Sequence, residues 1–227
     1  MSHLLSKSKY IRGLQCDRAL WLDVFNPRLA RYTAEQMRRF DRGREFEYSF
    51  KDTFPNGIDI SAELKRNVDA YPELTAMYLD KEANVDLFEA GFQYDDVLVL
   101  ADVVCQREDG SLDIYEVKSG TTLSDTYRRD AALQHYVISH CRKINKFCIV
   151  YNGLSDGSDM SDYFNVVDLT EELAAQHREI EKNIAAMKDI LRHGEPATPT
   201  GQHCLEPYAC PYQHYCAQGV RQMSLFG

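Results

Sequence analysis

The stretch Leu112–Gly120, LDIYEVKSG, decides how the rest of the chain is read. Side chains alternate along a strand, so Leu112, Ile114, Glu116 and Lys118 share one face. That face begins apolar and ends in a carboxylate and an ammonium two residues apart. Just upstream, DDVLVLADVVCQR (95–107) is almost continuously apolar, as a strand buried on both faces would be. The EDG between the two stretches signals a hairpin. Leu98, Leu100, Asp102 and Val104 share a parity, which predicts the Asp102 carboxylate on an apolar face, beside Glu116 across the hairpin. Two carboxylates in a partly dry site repel, and one holds a proton unless a divalent cation lies between them. Mg²⁺ or Mn²⁺ suits such an all-oxygen site, and Lys118 on the same face would orient a water for attack on a phosphodiester. A plain ion pair at a strand end accounts for Asp102, Glu116 and Lys118 equally well.

Working outward, the pattern alternates helix and strand. Residues 4–22 read as one helix anchored by Leu14, Leu20, Trp21 and Leu22. A second helix starts at Thr33, with Gln36 in capping-box spacing, and stops before Pro55-Asn56-Gly57. Glu47 lies on it, one turn after Gly43, and offers a third carboxylate; a surface glutamate in a charged helix is the simpler account. Residues 71–83 form another helix, 85–94 a loosely alternating strand ahead of the hairpin, and 126–143 a helix carrying Asp130 and Gln134 on one face. Strands follow at 146–153 and 162–169. Then comes a long amphipathic helix with Leu173, Ile180, Ile184, Met187 and Leu191 on one stripe and Gly194 as its stop. The expected organisation is an N-terminal helical segment (1–32), an α/β core (33–170), the amphipathic helix (171–194) and a tail without helical period (195–227).

Of seven cysteines, Cys105, Cys141 and Cys148 sit in apolar patterns and read as small buried hydrophobes. Cys204, Cys210 and Cys216 are evenly spaced in the tail, and Cys16 can supply a fourth thiolate. A four-cysteine site holds zinc or an iron–sulfur cluster; the lack of short C-x₂-C pairs disfavours zinc. With no apolar run near the ~20 residues that span a bilayer and no secretory h-region at the start, the expectation is a cytoplasmic protein with no membrane partner. The net charge of −9 conceals an asymmetry. Residues 1–51 hold 11 Lys+Arg against 6 Asp+Glu, so phosphate contacts are expected from that end, Arg38, Arg39, Arg42 and Arg44 among them.

In this order the motifs GREFEYSF (43–50), LADVV (100–104), YEVKSG (115–120) and DAALQHY (130–136) resemble those of the RecB-type branch of the PD-(D/E)XK nucleases. The N-terminal LSKSKYIRGLQCDRALWL, FPNGIDI and the tail GQHCLEPYACPYQHYC are similar to an iron–sulfur family close to the CRISPR-associated RecB-like exonucleases. The resemblance implies a restriction-endonuclease-like core and Glu47, Asp102 and Glu116 as ligands of Mg²⁺ or Mn²⁺. It implies Lys118 as the catalytic lysine, Gln134 as an active-site or DNA contact, and a [4Fe–4S] cluster on Cys16, Cys204, Cys210 and Cys216. Several positions depart from the family pattern: Glu47 replaces a common histidine, Ala101 the proline, Ile138 the tyrosine of Gln-x-x-x-Tyr, and the tail cysteines are more widely spaced. The expected activity is a single-stranded DNA exonuclease in CRISPR adaptation or DNA repair, with CRISPR adaptation proteins as partners. The alternatives are a non-catalytic iron–sulfur module that binds DNA or a partner on the same fold, and a redox protein.

Overall fold

In the computed structural model, residues 3–64, 67–153 and 163–224 are described, with Arg39 and 219–224 in backbone only. The chain enters through a two-residue strand, β1 (Leu5–Ser6), and two helices, α1 (Lys7–Gln15) and α2 (Asp17–Phe25). The single N-terminal helix expected from the sequence is therefore broken, at Cys16, whose backbone is extended (φ −166°, ψ 125°). Helix α3 (Ala34–Lys51) starts where its capping box predicts: Thr33 Oγ1 accepts from the Gln36 N–H at 3.2 Å and Gln36 Oε1 from the Thr33 N–H at 2.8 Å.

β2 (Ile58–Asp59), α4 (Ile60–Leu64) and α5 (Tyr71–Lys81) lead into the meander of β3 (Asp86–Tyr94), β4 (Val97–Gln106) and β5 (Leu112–Lys118). Helix α6 (Asp125–Cys141) crosses over to β6 (Ile144–Asn152), which runs parallel to β5, and β7 (Phe164–Asp168) closes the edge antiparallel. The helix expected over 171–194 is two, α7 (Thr170–Ala174) and α8 (His177–Ile190). They part at Ala175–Gln176, where the Gln176 N–H bonds back only three residues, to Leu173 C=O at 3.1 Å. Its stripe survives the break: Leu173, Ile180, Ile184, Met187 and Leu191 are all buried. The tail is not free of helix, since α9 (Gln213–Ser224) ends it. Among the described residues no helix is long and apolar enough to cross a membrane.

The result is an α/β core in which a mixed sheet, ordered β2-β3-β4-β5-β6-β7 with β1 added beside β4, carries helices on both faces. The larger core lies under α6, α8 and α1, and α6 is buried without interruption from Asp130 to Ile138. On the other face, Phe46 and Phe50 of α3 pack on Phe88, Val103, Val117 and Val150.

Two features of this sheet make a site. First, β4 pairs with β5 only between Val103↔Tyr115 and Gln106↔Leu112, while β5 stays with β6 as far as Lys118↔Tyr151. The other stretch of that β4 edge is taken by β1, at Val97 and Leu98. A fork opens between them. Second, alternation slips at the fork. Val97, Val99 and Ala101 lie in the larger core together with Val104, and so do Leu87, Ala90 and Phe92 of β3, whereas Val103 and Phe88 belong to the second. The face expected to unite Leu98, Leu100, Asp102 and Val104 is therefore not kept. The slip falls at Asp102 and at Glu89, which stand opposite each other between the pairs Phe88↔Val103 and Ala90↔Ala101. Glu89 sits at φ +53°, a left-handed conformation that costs a residue with a side chain about 1–3 kcal/mol.

Candidate functional site

At the fork, the Asp102 side chain stands in for a missing strand partner: Oδ2 accepts from the Val117 N–H at 2.7 Å. Across the ladder Glu89 turns out of β3, and Glu47 reaches in from α3. Ligand atoms of Glu47, Glu89 and Asp102 all lie within 4.8 Å of one another. Lys51, one turn after Glu47 and almost fully buried, bridges two of them, with Nζ 2.5 Å from Glu47 Oε1 and 2.6 Å from Glu89 Oε1.

Behind this trio lies a second set. Glu116 is inaccessible to solvent, and its Oε1 accepts from Lys118 Nζ at 2.5 Å and from Lys7 Nζ, at the start of α1, at 2.8 Å. Lys118 also bonds Asp130 Oδ2 on α6 at 2.5 Å, and Lys7 stands 3.8 Å from the same oxygen. Glu116 Oε2, Asp130 Oδ1 and both amide atoms of Gln134, one turn further along α6, are buried with no hydrogen-bond partner among the described residues. Buried polar atoms are almost always satisfied, and these are four of the five unpartnered side-chain atoms among the described residues.

The electrostatics follow from burial and neighbours. Burial, with the charge of Glu116 added, pushes the Asp102 carboxyl well above the usual range. Burial also raises Asp130 and Glu89, against the pull of Lys118 and Lys51 respectively. Burial acts upward on Glu116 too, but Lys118 and Lys7 outweigh it and hold that group below the ordinary carboxylate range. Conversely, Asp130 and Glu116 overcome the burial of Lys118 and keep its ammonium well above the usual lysine value. Five carboxylates (Glu47, Glu89, Asp102, Glu116, Asp130) thus face three ammonium groups (Lys7, Lys51, Lys118), which leaves an excess of two negative charges when all are ionised.

Of the residues singled out in the sequence, the trio unites Glu47 and Asp102. Glu116 and Lys118 stand in the adjoining ion network, and Gln134 faces the same buried region from α6. Glu89 and Lys7 were not singled out. A glutamate inside the apolar LFEAGF was a visible signal for the first. Nothing local signals the second, which meets Glu116 from 109 positions away.

The four cysteines of the chain ends gather at the far end of α1. Cys16, Cys210 and Cys216 have thiols raised chiefly by burial, and each also feels Cys204; Cys16 acts on Cys210 and Cys216 in turn. Cys16, Cys210 and Cys216 pack in a small core with Ala19, Leu22 and Tyr212. The tail is held there by the Gln15 side-chain amide, which reaches the carbonyls of His203 (2.8 Å), Glu206 (3.1 Å) and Tyr208 (2.7 Å). Trp21 Nε1 donates to His193 C=O at 3.1 Å and Arg18 pairs with Glu195 at 2.6 Å. His203 precedes Cys204 and His214 lies between Cys210 and Cys216, and His203 Nε2 stands 3.6 Å from Cys204 Sγ.

No protein-family profile matches the sequence, and no curated protein matches it. Among solved structures the chain is similar to SSO0001, with a TM-score of 0.46 and 13% identity over 94% of this chain and 85% of that one.

Proposed function

We propose that the protein is a metal-dependent deoxyribonuclease that hydrolyses phosphodiester bonds at the strand fork. The observation that carries this reading is the convergence of Glu47, Glu89 and Asp102 within 4.8 Å, beside a buried Glu116–Lys118 pair with an orphaned carboxylate oxygen. The donor set is all oxygen, which fits Mg²⁺ or Mn²⁺; their octahedral sites place neighbouring oxygens about 3 Å apart, so these side chains would draw together on the ion. Bound there, the cation would supply Lewis acidity and neutralise phosphate charge. Glu47, Glu89 and Asp102 would hold it, with Glu116 Oε2 free to join, and its double charge would offset the excess of two.

The chain's own residues do the rest. Lys118 is held as an ammonium, so it acts as a donor that orients water and a phosphate oxygen, not as a general base. Asp130 fixes its direction. Gln134 offers an amide to the same region, and Lys7 sits where it can shield the charge of Glu116. Lys51 holds Glu47 and Glu89 together, and a cation held there would compete with it for them.

The resemblance in motif order extends the reading to a single-stranded DNA exonuclease working in CRISPR adaptation or repair, alongside CRISPR adaptation proteins. It also assigns Cys16, Cys204, Cys210 and Cys216 to a structural [4Fe–4S] cluster that joins the two ends of the chain. What supports this is the donor set itself: four thiols, each of which feels others of the set, with no short C-x₂-C pair in their spacing.

One observation favours a second reading, a binding module on the same fold: Lys7, Lys51 and Lys118 are all already paired with carboxylates, as in a retired site. Cleavage of end-labelled single-stranded DNA by anaerobically purified protein separates the two. The nuclease reading expects cutting with Mn²⁺ or Mg²⁺, none with EDTA, and none by Lys118→Ala or Glu116→Gln proteins that retain the visible absorbance of the cluster. DNA binding without cutting under every metal condition moves the conclusion to the binding module.

A further inference from the structure

Helix α3 is divided in two. Its C-terminal half is pinned to the sheet by Phe46 and Phe50, both buried. Its N-terminal half touches the body along one side only and opens the other to solvent, with Met37 and Phe40 each 49% exposed, and Arg38, Arg42 and Arg44 exposed as well. Apolar side chains this open belong to neither core cluster. Nor are they scattered round it. Met37, Phe40, Arg44, Glu47 and Lys51 are spaced by three and four residues, and at 100° per residue they fall within an arc of about 80°. The stripe that ends in the metal-site glutamate begins with an apolar side chain, an aromatic ring and a guanidinium. Tyr32 extends it, its ring edge-on to Phe40 at 6.0 Å.

We infer that this stripe is the track along which a single-stranded nucleic acid enters the carboxylate site, with Phe40 and Tyr32 as stacking surfaces and Arg44 as a phosphate contact. The inference rests on the nuclease reading for its direction, but not for its existence. Three facts select this occupant. Continuity is the first: a Cβ placed on Gly43 would lie 4.0 Å from Ser119 Oγ, so the helix runs beside the end of β5, next to Lys118. Length is the second: Glu47 to Phe40 is seven residues, about 10 Å of helix, enough for about three nucleotides at ~3.4 Å each. Charge is the third: the stripe lies in the stretch 1–51 that is net +5 in a chain of net −9. Asp41 and Glu45 lie on the outer flank, and Asp41 pairs with Arg44. That pair is solvent-exposed and worth little, so Arg44 is free to exchange it for a phosphate. The start of the helix is fixed as a wall should be, by Gln36 Nε2 on Ala209 C=O at 3.0 Å and the Arg31 N–H on Pro211 C=O at 3.0 Å.

Fluorescence anisotropy with a labelled 20-mer of deoxythymidine tests the track, using the full chain in EDTA so that binding is read without cutting. Phe40→Ala is expected to weaken binding by about tenfold, the effect of losing one stacked base, and to leave a blunt hairpin duplex little changed. Arg44→Ala is expected to reduce the slope of log affinity against log salt by about 0.7, one phosphate's worth on a single strand. Met77→Ala, an exposed apolar residue on α5, is the control and should bind as wild type. Wild-type affinity and slope in both α3 variants, or no binding by the wild-type chain, overturns the proposal. So does a Phe40→Ala protein that changes only its sedimentation mass, which would make the stripe an interface between copies. A chain that never cuts with Mn²⁺ but binds through Phe40 and Arg44 keeps the track and removes the nuclease.

Discussion

The fork and the cysteine-lined cap sit at opposite ends of the same nine-residue helix, and they are held by opposite kinds of force. Helix α1 begins with Lys7, on Glu116, and ends with Gln15 and Cys16, on the tail. At the fork, the fully buried Glu116 is held by the ammonium groups of Lys118 and Lys7, and Lys118 in turn by the nearly buried Asp130. At the cap, neutral amides meet carbonyls around thiols and an aromatic core, and the two ion pairs at its edge, Arg18 with Glu195 and Arg12 with Asp23, are partly exposed. A neutral contact that is lost can be replaced by water. A buried charge that loses its partner has no such recourse, so the fork should be brittle where the cap is forgiving.

The sharpest way to break that comparison is to remove Glu116. Glu116→Ala leaves Lys7 and Lys118 facing each other with Asp130 as the carboxylate nearest both, and Asp102 beyond it. Loss of one partner from a buried pair costs about 3–5 kcal/mol, read as a fall in the urea midpoint. Glu116→Gln, which keeps an oxygen for the two ammonium groups, is expected to lose distinctly less. If Glu116→Ala unfolds at the wild-type midpoint, the fork is wet and its ion pairs behave as surface ones.

A smaller effect, but one confined to the fork, is the pH dependence of metal affinity. The folded Asp102 carboxyl is raised, so it holds a proton at pH values where an ordinary aspartate has lost it. A cation must displace that proton, and Mn²⁺ affinity is expected to rise about tenfold per pH unit until Asp102 is ionised, then to level off. The stability term has the opposite sign. The folded state binds more protons than the unfolded between the unfolded and folded values, so metal-free stability falls as pH rises through that window. Calorimetric titration of wild type and Asp102→Asn from pH 5 to 8 checks both: the mutant should bind weakly, and its metal-free stability should lose this component of pH dependence. A flat wild-type affinity would show that burial does not govern the site.

The two regions also differ in how far the sequence discloses them. Parity within β5 places Glu116 and Lys118 on the face of Leu112 and Ile114, because both belong to one regular strand. The capping box fixes the start of α3, and with it the helix of Glu47, for the same local reason. Asp102 was legible as a buried charge but not in its direction, since the slip in alternation depends on β5 leaving β4. Glu89 needed the same slip and a left-handed backbone that no propensity scale favours for glutamate. Lys7 could not be read at all, because only the docking of β1 in the fork brings it to Glu116. At the cap, the break at Cys16 was hidden inside a good helical pattern, for the tail that it serves lies almost two hundred residues away.

The smallest expected effect tests the cap's tolerance. Gln15 serves three carbonyls of the tail, but all are near enough to the surface for water to replace the amide. Gln15→Ala should therefore cost about 1–2 kcal/mol, and the loss should be local. Limited proteolysis would show faster cleavage within 201–212, while the urea midpoint reported by the sheet barely moves. Because Gln15 and Lys7 share one short helix, the same variant also asks whether the two sites are mechanically joined. If α1 is a rigid strut, loosening its far end weakens the hold of Lys7 on Glu116, and Mn²⁺ affinity at the fork shifts with it. If affinity stays at the wild-type value, the fork is held by its own charges, and the helix links the two regions in sequence only.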